Sequence, residues 1–167
     1  MFNIYLTNLG KYTEGFLIGQ WVNLPCDDLE AVYKNIGINE RYEEKFITDF
    51  ETDFGFDVPE YASIEELNEL AKRINDLEEY QKEALQAFLY NSYSLEDAIT
   101  EVENNNFIIH YDCTEMSDIA YELIDEGIYG NIPDNLINYI DYDAIGRDLE
   151  IEGNYYFINN NCVELTV

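Results

Sequence analysis

Hydrophobic and polar positions in the first third of the chain predict strands followed by a helix. The runs Phe2–Leu6 and Gly15–Leu24 are typical of strands joined by a polar turn that contains glycine. A helix is expected next, with Asp27 as its N-cap, Glu30 three residues later and Gly37 at its C-terminal stop. The apolar positions that give this helix one buried face are Leu29, Val32, Tyr33 and Ile36.

The middle of the chain has a helical period throughout. Ser63 and Glu66 form a capping-box pattern ahead of a first helix, and Ser94 and Asp97 mark the start of a third. An Asn-Asn-Asn run at 104–106 is a probable boundary in composition, because such runs favour loops. The apolar positions at helical spacing are Leu67, Leu70, Ala71 and Ile74, then Leu77, Tyr80, Ala84, Leu85 and Phe88, then Leu95, Ala98, Ile99 and Val102.

The last third of the chain mixes strand and helix patterns again. Phe107–Tyr111 is predicted to be a strand, and helical periodicity returns over 134–150, after Pro133. Tyr155–Ile158 and Cys162–Val167, separated by three asparagines, predict a β-hairpin. Between them, one helix is expected to bury Met116, Ile119, Ala120, Leu123 and Ile124.

These patterns predict an α+β protein built from three small modules. The first, residues 1–61, is α+β; the second, residues 62–103, is all-helical; the third, residues 104–167, is α+β again. We expect the chain of modules to be elongated, for a reason that comes from its charge.

The chain is strongly acidic but still able to fold. It has 36 Asp and Glu against 8 Lys and Arg, a formal net charge of −28, and 47% hydrophobic residues. An acidic disordered tail would lack such core-forming residues. The three segments have net charges of −8, −8 and −12 (4 basic against 12 acidic residues, 3 against 11, and 1 against 13), so the acid is not confined to one tail.

This net charge determines which classes of molecule the protein can bind. Nucleic acids and anionic membranes should be repelled, whereas basic proteins and DNA-binding clefts should be attracted. Duplex DNA has one charge per ~1.7 Å, so 28 charges correspond to about 48 Å of duplex. An elongated body would present its carboxylates at a density closer to that of DNA than a compact one would, and the pattern therefore favours a DNA mimic.

The clearest carboxylate stripe is expected on the helix over 115–126. Side chains three or four residues apart lie about 5–6 Å from one another on a helix, comparable with backbone phosphates. A solvated acidic face is the simpler interpretation of one such stripe, but the pattern repeats in the middle of the chain. The candidate phosphate-mimicking residues are Glu65, Glu66, Glu69, Asp76, Glu78, Glu79, Glu83, Asp112, Glu115, Asp118, Glu122, Asp125 and Glu126.

Catalytic and metal-binding patterns are weak. Nucleotide-binding glycine motifs, zinc-protease motifs and nucleophile elbows are absent from the sequence, and it has one histidine, so we expect no enzyme activity and no cofactor. Asp49–Glu60 has acids at five EF-hand positions but lacks the required glycine at the sixth. His110 and Cys113 are interpreted as a strand histidine and a buried thiol, and Asp141 and Asp143 as an isolated D-x-D pair.

The opening and closing residues of the chain resemble one family. IYLTNLGKYTEGFLIGQWVNL (Ile4–Leu24) resembles the N-terminal signature of the ArdA antirestriction proteins, and YIDYDAIGRDLEIEG (Tyr139–Gly153) resembles their C-terminal signature. The segment Gly127–Tyr139 corresponds to the antirestriction motif of that family. The likeness is to members carried by a conjugative transposon of low-GC bacteria.

The resemblance implies an elongated three-module homodimer that occupies the DNA-binding cleft of type I restriction-modification enzymes, in their methyltransferase core, and so protects incoming mobile DNA. It implies dimerisation through the C-terminal module, where Phe107, Ile109 and Tyr139 are candidate interface residues. Three other functions stay open: an acidic adaptor for another basic protein, a calcium-binding module and a salt-adapted ordinary protein. The opening residues MFNIYLTNLG lack a basic start and a long apolar run, and the three cysteines are far apart, so we expect a cytoplasmic protein without disulfides.

Overall fold

The computed structural model describes residues 1–167, apart from the side chain of Glu152. Its six strands and eight helices confirm the α+β class. In chain order the elements are β1 (Phe2–Asn8), α1 (Leu9–Thr13), β2 (Gly19–Asn23), α2 (Leu29–Asn35), β3 (Lys45–Thr52), α3 (Ile64–Asp76), α4 (Glu79–Tyr90), α5 (Leu95–Glu103), β4 (Phe107–His110), α6 (Met116–Asp125), α7 (Asp134–Ile137), α8 (Tyr142–Glu152), β5 (Tyr155–Ile158) and β6 (Asn161–Leu165).

Two compact units group these elements. The first unit consists of residues 1–78 with 94–99, and the second consists of residues 79–93 with 100–167. The division into three modules and the elongated arrangement remain predictions.

The first unit is a three-stranded antiparallel sheet with helices on one face. The strand order is β2-β1-β3, so β1 is central and β2 and β3 are the edges. Alternate residues of β1 and β2 point into the core, while α2 and α3 cover that face with their apolar sides. The buried residues of this core include Phe2, Ile4, Leu6, Val22, Leu24, Ile36, Ile47, Ile64, Leu67 and Ala71.

Local polar contacts begin and end the helices of the first unit. Ser63 accepts a hydrogen bond from the backbone N–H of Glu66 at 3.2 Å, which confirms the predicted start of α3. The predicted cap of α2 was wrong by one residue, because Asp28 and not Asp27 accepts from Ala31 N–H, at 2.9 Å. Gly37 has φ +79°, so it ends α2 in the left-handed conformation that glycine adopts without strain.

Two parts of the first unit differ from the predicted elements. The strand predicted over Gly15–Leu24 is shorter, and part of the preceding turn is the helix α1, which Asn8 caps by accepting from Lys11 N–H at 2.9 Å. The strand β3 was not predicted. Its outward positions Asp49 and Glu51 are acidic and a register shift interrupts its pairing with β1, so its alternation is hard to read.

The second unit contains the sheet β4-β6-β5, which is antiparallel throughout. The predicted hairpin is confirmed as β5 and β6, although its alternation is imperfect because neighbouring Cys162 and Val163 are both buried. Helices α6 and α8 pack against each other, and the backbone of Met116 lies where a Cβ on Gly146 would stand. This close approach positions the acidic helix α6.

Candidate functional site: the acidic surface

Helix α3 presents one continuous acidic side. Glu65 and Glu66 lie in its first turn, where negative charge interacts favourably with the helix dipole. Glu66, Glu69 and Asp76 are exposed on the side opposite the buried Leu67–Ala71–Ile74 side. Lys72 pairs with Glu69 at 2.6 Å across one turn. Such exposed pairs contribute little to stability, so the side keeps its net negative field.

Glu65 is also tied to the fold of the first unit. Its carboxylate accepts a hydrogen bond from the Tyr33 hydroxyl at 2.7 Å, and Lys45 Nζ lies 3.9 Å away. The Tyr33 hydrogen bond is the main reason that the pKa of Glu65 is below its ordinary value. Glu65 is therefore a carboxylate that is ionised at neutral pH and has a fixed position, whereas Glu66 and Asp76 are free to follow a partner.

Helix α4 places its predicted acids in two different settings. Glu79 is exposed at the first position and lies 3.5 Å from Lys82. Glu83 is half-buried and accepts hydrogen bonds from the side-chain amides of Asn159 and Asn161, each at 2.8 Å. Those asparagines form the turn of the β5–β6 hairpin, so Glu83 holds that turn against α4. Glu78 is exposed at the end of the preceding loop.

The predicted stripe on α6 is divided by the structure. Glu115, Asp125 and Glu126 are exposed, as is Asp112 in the loop before the helix. Asp118 instead folds back over the start of α6, where its carboxylate accepts from Thr114 N–H at 2.8 Å and Glu115 N–H at 3.1 Å. This capping contact satisfies helix N–H groups that would otherwise lack partners.

Glu122, the central member of the stripe, turns toward a buried histidine. His110 ends β4 and is 3% exposed. Its Nε2 forms a hydrogen bond with a Glu164 oxygen on β6 at 3.1 Å, whereas its Nδ1 lies 3.2 Å from a Glu122 oxygen outside hydrogen-bond geometry. The imidazole therefore separates two carboxylates that would otherwise face each other. Glu122 serves the packing of α6 on the sheet, which the sequence pattern alone did not indicate.

The two buried thiols beside this histidine are not activated. Burial, followed by a hydrogen bond to Glu122, raises the pKa of Cys113 to about 12. Burial also raises the pKa of Cys162 to about 12. A thiol must ionise to act as a nucleophile or metal ligand, so these two cysteines behave as small apolar core residues. Among the described residues, no group of three or more His, Cys, Asp or Glu side chains is arranged so that it could hold a metal ion.

The calcium-loop and D-x-D patterns have structural explanations. Asp49 and Glu51 lie on the strand β3, which is an extended conformation and not the compact loop of an EF-hand. Asp53 pairs with the N-terminal amine. Asp141 caps α8 by accepting from Ala144 N–H at 2.9 Å, and Asp143 is exposed in the first turn of that helix.

Further carboxylates are exposed that the predicted set did not include. Asp27, Asp28 and Glu30 surround the start of α2. Along α8 lie three more exposed acids, Asp143, Asp148 and Glu150. Helix α8 carries at least as many acids per turn as α3 or α6, and the overall acidic composition was a sufficient signal that most polar faces would be negative.

An exposed apolar segment lies between α6 and α8 in the second unit. Tyr139 is 84% exposed, and Ile128 and Tyr129 are also largely exposed. Neighbouring Leu136 and Ile137 belong to α7 and add to the same apolar character. The other two candidate interface residues differ: Ile109 is half-buried, and Phe107 is half-buried with its ring 6.2 Å from that of Tyr80.

Comparison with protein families identifies the family of this chain. The family model described as antirestriction protein (ArdA) matches residues 4–164. No curated protein matches the chain. In the part of the chain that the structure describes, none of the helices has the length and apolar character needed to cross a membrane.

Proposed function

Because this chain belongs to the ArdA antirestriction family, we propose that it inhibits type I restriction-modification enzymes by occupying their DNA-binding cleft. In this proposal its carboxylates replace the phosphates of DNA in the methyltransferase core of the enzyme. Incoming mobile DNA is then protected because the cleft is filled.

The observation that carries the proposal is the surplus of exposed carboxylates on regular helices. With 36 acidic and 8 basic residues, the chain cannot neutralise its own surface. On α3, Glu69 is four positions from Glu65 and three from Glu66, which places these carboxylates about 5–6 Å apart, and Asp76 follows two turns later on the same side. Like charges at these positions destabilise a helix, so their retention favours a role in binding cationic groups.

Affinity in this mechanism is collective. An exposed ion pair contributes roughly 0.2–1 kcal/mol, and salt screens it. Many such pairs with Lys and Arg of the enzyme would add up, and the field of the whole chain would speed association. Neutralising one exposed acid should therefore have a small effect, and neutralising a block should have a large one.

We further propose that the inhibitor acts as a homodimer through the apolar segment 127–140. Exposed tyrosine and isoleucine side chains next to each other are typical of protein interfaces. The segment carries one acid, Asp134, so two copies can approach there with less repulsion than elsewhere on the surface. A dimer doubles the length of duplex that one inhibitor can imitate.

The test is displacement of DNA from a purified type I methyltransferase core. Labelled duplex is bound to the enzyme and this protein is titrated in, at 50 and 200 mM salt. We expect stoichiometric displacement that weakens at the higher salt, because both ligands use the same cationic cleft. Enzyme that keeps its DNA in the presence of folded, dimeric protein would contradict the proposal and favour a different basic partner.

A further inference from the structure

The outer face of the first sheet carries an aromatic pair. Tyr5 on β1 and Trp21 on β2 lie directly opposite each other in the antiparallel register. Their ring centroids are 5.4 Å apart and their planes meet at 76°, an edge-to-face arrangement. Trp21 is 46% exposed, on the face opposite the buried core of Ile4 and Val22. A large aromatic ring is thus held open to solvent on a rigid sheet.

Gly19 fixes the position of the Tyr5 ring. A Cβ on Gly19 would stand 2.7 Å from Tyr5 Cε1 and 2.6 Å from the Leu6 carbonyl oxygen. The absent side chain therefore leaves room on β2 in which the Tyr5 ring lies, with Trp21 as its other neighbour. This packing orders the aromatic pair before any partner arrives, which reduces the entropy lost on binding.

Two carboxylates flank the pair on the third strand of the sheet. Asp49 lies opposite Tyr5, and Glu51 lies opposite Asn3, one step along the same face. Both acids are exposed, and Glu51 is 3.5 Å from the Asn3 amide nitrogen. Because β1 lies between β2 and β3 and adjacent strands are about 4.8 Å apart, Asp49 is one strand from Tyr5 and two strands from Trp21, so a planar cation over the Tyr5 side of the pair can reach Asp49.

The same chain fills two comparable arrangements with its own cations. Over the Tyr42 ring lie Lys11 Nζ at 4.1 Å and Arg41 Cζ at 5.0 Å, with Glu14 accepting from Lys11 at 3.3 Å. Over the Tyr33 ring lies Lys45 Nζ at 4.3 Å, and Lys45 also pairs with Glu65. The cation–ring contacts of the described residues involve those two rings and not Trp21.

We infer that Tyr5, Trp21, Asp49 and Glu51 form a binding patch for an arginine side chain of the partner protein. This inference rests on the proposed function and adds to it the chemistry of one contact. The guanidinium would lie over the Tyr5–Trp21 pair, with N–H groups on the Tyr5 side donating to Asp49 and with Glu51 adding negative charge nearby. The DNA-binding cleft of an enzyme supplies such side chains, since arginine is a common phosphate ligand.

The charge of the patch decides against other occupants. A nucleobase could stack on Trp21, but its phosphates would meet Asp49 and Glu51. A second copy of the chain, seated symmetrically on this patch, would bring the same two carboxylates against each other. A cationic side chain satisfies both the ring and the carboxylates.

The chain has one tryptophan, so its fluorescence reports on this patch alone. The probes are N-acetyl-arginine amide and N-acetyl-lysine amide, titrated into the full chain at constant ionic strength with excitation at 295 nm. We expect a saturable change with the arginine probe at a concentration several times lower than with lysine. In Asp49→Asn/Glu51→Gln, half-saturation should rise about three- to tenfold, because exposed ion pairs are lost.

A matched variant controls for total charge. Asp143→Asn/Asp148→Asn removes two exposed carboxylates from α8 in the second unit and should leave the arginine titration unchanged. Absence of a saturable signal, equal response to both probes, or equal effects of the two double variants would each overturn the inference.

A second measurement separates this inference from the proposed function. The Asp49→Asn/Glu51→Gln variant should displace DNA from the methyltransferase core with an affinity about three- to tenfold lower than the Asp143→Asn/Asp148→Asn variant. Normal displacement by both variants would reject the patch while the DNA-mimic function stands. Failure of the unaltered protein to displace DNA would instead reject the function, whatever the fluorescence shows.

Discussion

A carboxylate oxygen of Glu122 lies 3.2 Å from Nδ1 of His110, which is buried at the end of β4. The second ring nitrogen is occupied by Glu164 at 3.1 Å. Through these two contacts the acidic helix α6 is fixed to β4 and β6. The exposed acids at both ends of α6 depend on this anchor for their positions.

Replacing His110 should destabilise the second unit. In His110→Ala the carboxylates of Glu122 and Glu164 lose their shared partner and face each other across a cavity. We expect the free energy of unfolding to fall by about 2–4 kcal/mol, because unpaired, partly buried carboxylates are costly. Urea unfolding at pH 7 measures the change. Glu126→Gln, on the exposed end of the stripe, should change it by less than about 0.5 kcal/mol; equal losses would show that His110 is not an anchor.

The hydrogen bond between Tyr33 and Glu65 makes part of the stability depend on pH. The pKa of Glu65 is held below its ordinary value, chiefly by the hydrogen bond from Tyr33. A carboxylate with a lowered folded-state pKa stabilises the fold fully above its unfolded-state pKa, and this contribution is lost as the pH falls through the folded-state pKa. Tyr33→Phe should therefore be less stable at pH 7, and the difference should shrink below pH ~4.

Urea midpoints at pH 7 and pH 3 test this dependence. Tyr90→Phe removes the hydroxyl of an exposed tyrosine and serves as the control, with no expected change at either pH. A Tyr33→Phe deficit that is as large at pH 3 as at pH 7 would point to lost packing and not to the ionised Glu65.

The buried thiols should resist modification. Cys113 and Cys162 each have a pKa raised to about 12 by burial, so at pH 8 only about one in 10,000 of either thiol is ionised. In the folded protein we expect an aromatic disulfide reagent to label Cys26 first and the other two only after denaturation. Cys26→Ser should abolish the early reaction. Rapid labelling of Cys113 in that variant would show that the region around α6 opens.

Block neutralisation should reveal collective binding. Glu66→Gln, Glu69→Gln and Asp76→Asn each remove one exposed carboxylate from α3, and we expect each alone to weaken displacement of DNA by less than about fivefold. The triple variant should weaken displacement by one to two orders of magnitude and reduce its salt dependence. A single amide substitution that abolished inhibition would contradict the collective mechanism and indicate one decisive site.

Close packing of α6 on α8 depends on Gly146. A Cβ at this position would stand 2.8 Å from the Met116 carbonyl carbon and 2.9 Å from its carbonyl oxygen. Because moving the Met116 backbone is energetically costly, Gly146→Ala should reduce stability by about 1–3 kcal/mol, although alanine has a better helix propensity than glycine. Thermal unfolding measures the loss. Asp148→Ala, exposed on the same helix, is the control; a stabilised Gly146→Ala protein would mean that α6 and α8 are farther apart.

Periodicity predicted elements well where one face is buried and the ends are capped. Ser63 caps α3 as expected, and the helix over 115–126 buries Ile119 and Ala120. Periodicity did not identify β3, because its solvent-facing acids have the spacing of a metal-binding loop. It did not identify α1 either, because that helix is too short to show a period. Local patterns cannot distinguish such segments because their conformation is determined by pairing with β1.

The acidic site was predictable as a composition and not as a set of equivalent residues. Exposed acids such as Glu66 and Glu126 lie where the helical pattern placed them. Three other acids have the same sequence signature but different roles in the fold. Asp118 caps a helix, Glu122 contacts His110, and Glu83 accepts hydrogen bonds from the β5–β6 turn. The asparagine partners of Glu83 are up to 78 residues away, so no local pattern could separate Glu83 from the exposed group.

The exposed acidic side of α3 has opposite consequences for folding and for inhibition when the salt concentration changes. Screening relieves the repulsion among Glu66, Glu69 and Asp76, so added salt should raise the melting temperature. The same screening weakens the attraction to a cationic cleft. Under the proposed function, the low-salt conditions that give the highest affinity for the target are therefore those in which the fold is least stable. The ionic strength of the cell then determines the balance between affinity and stability.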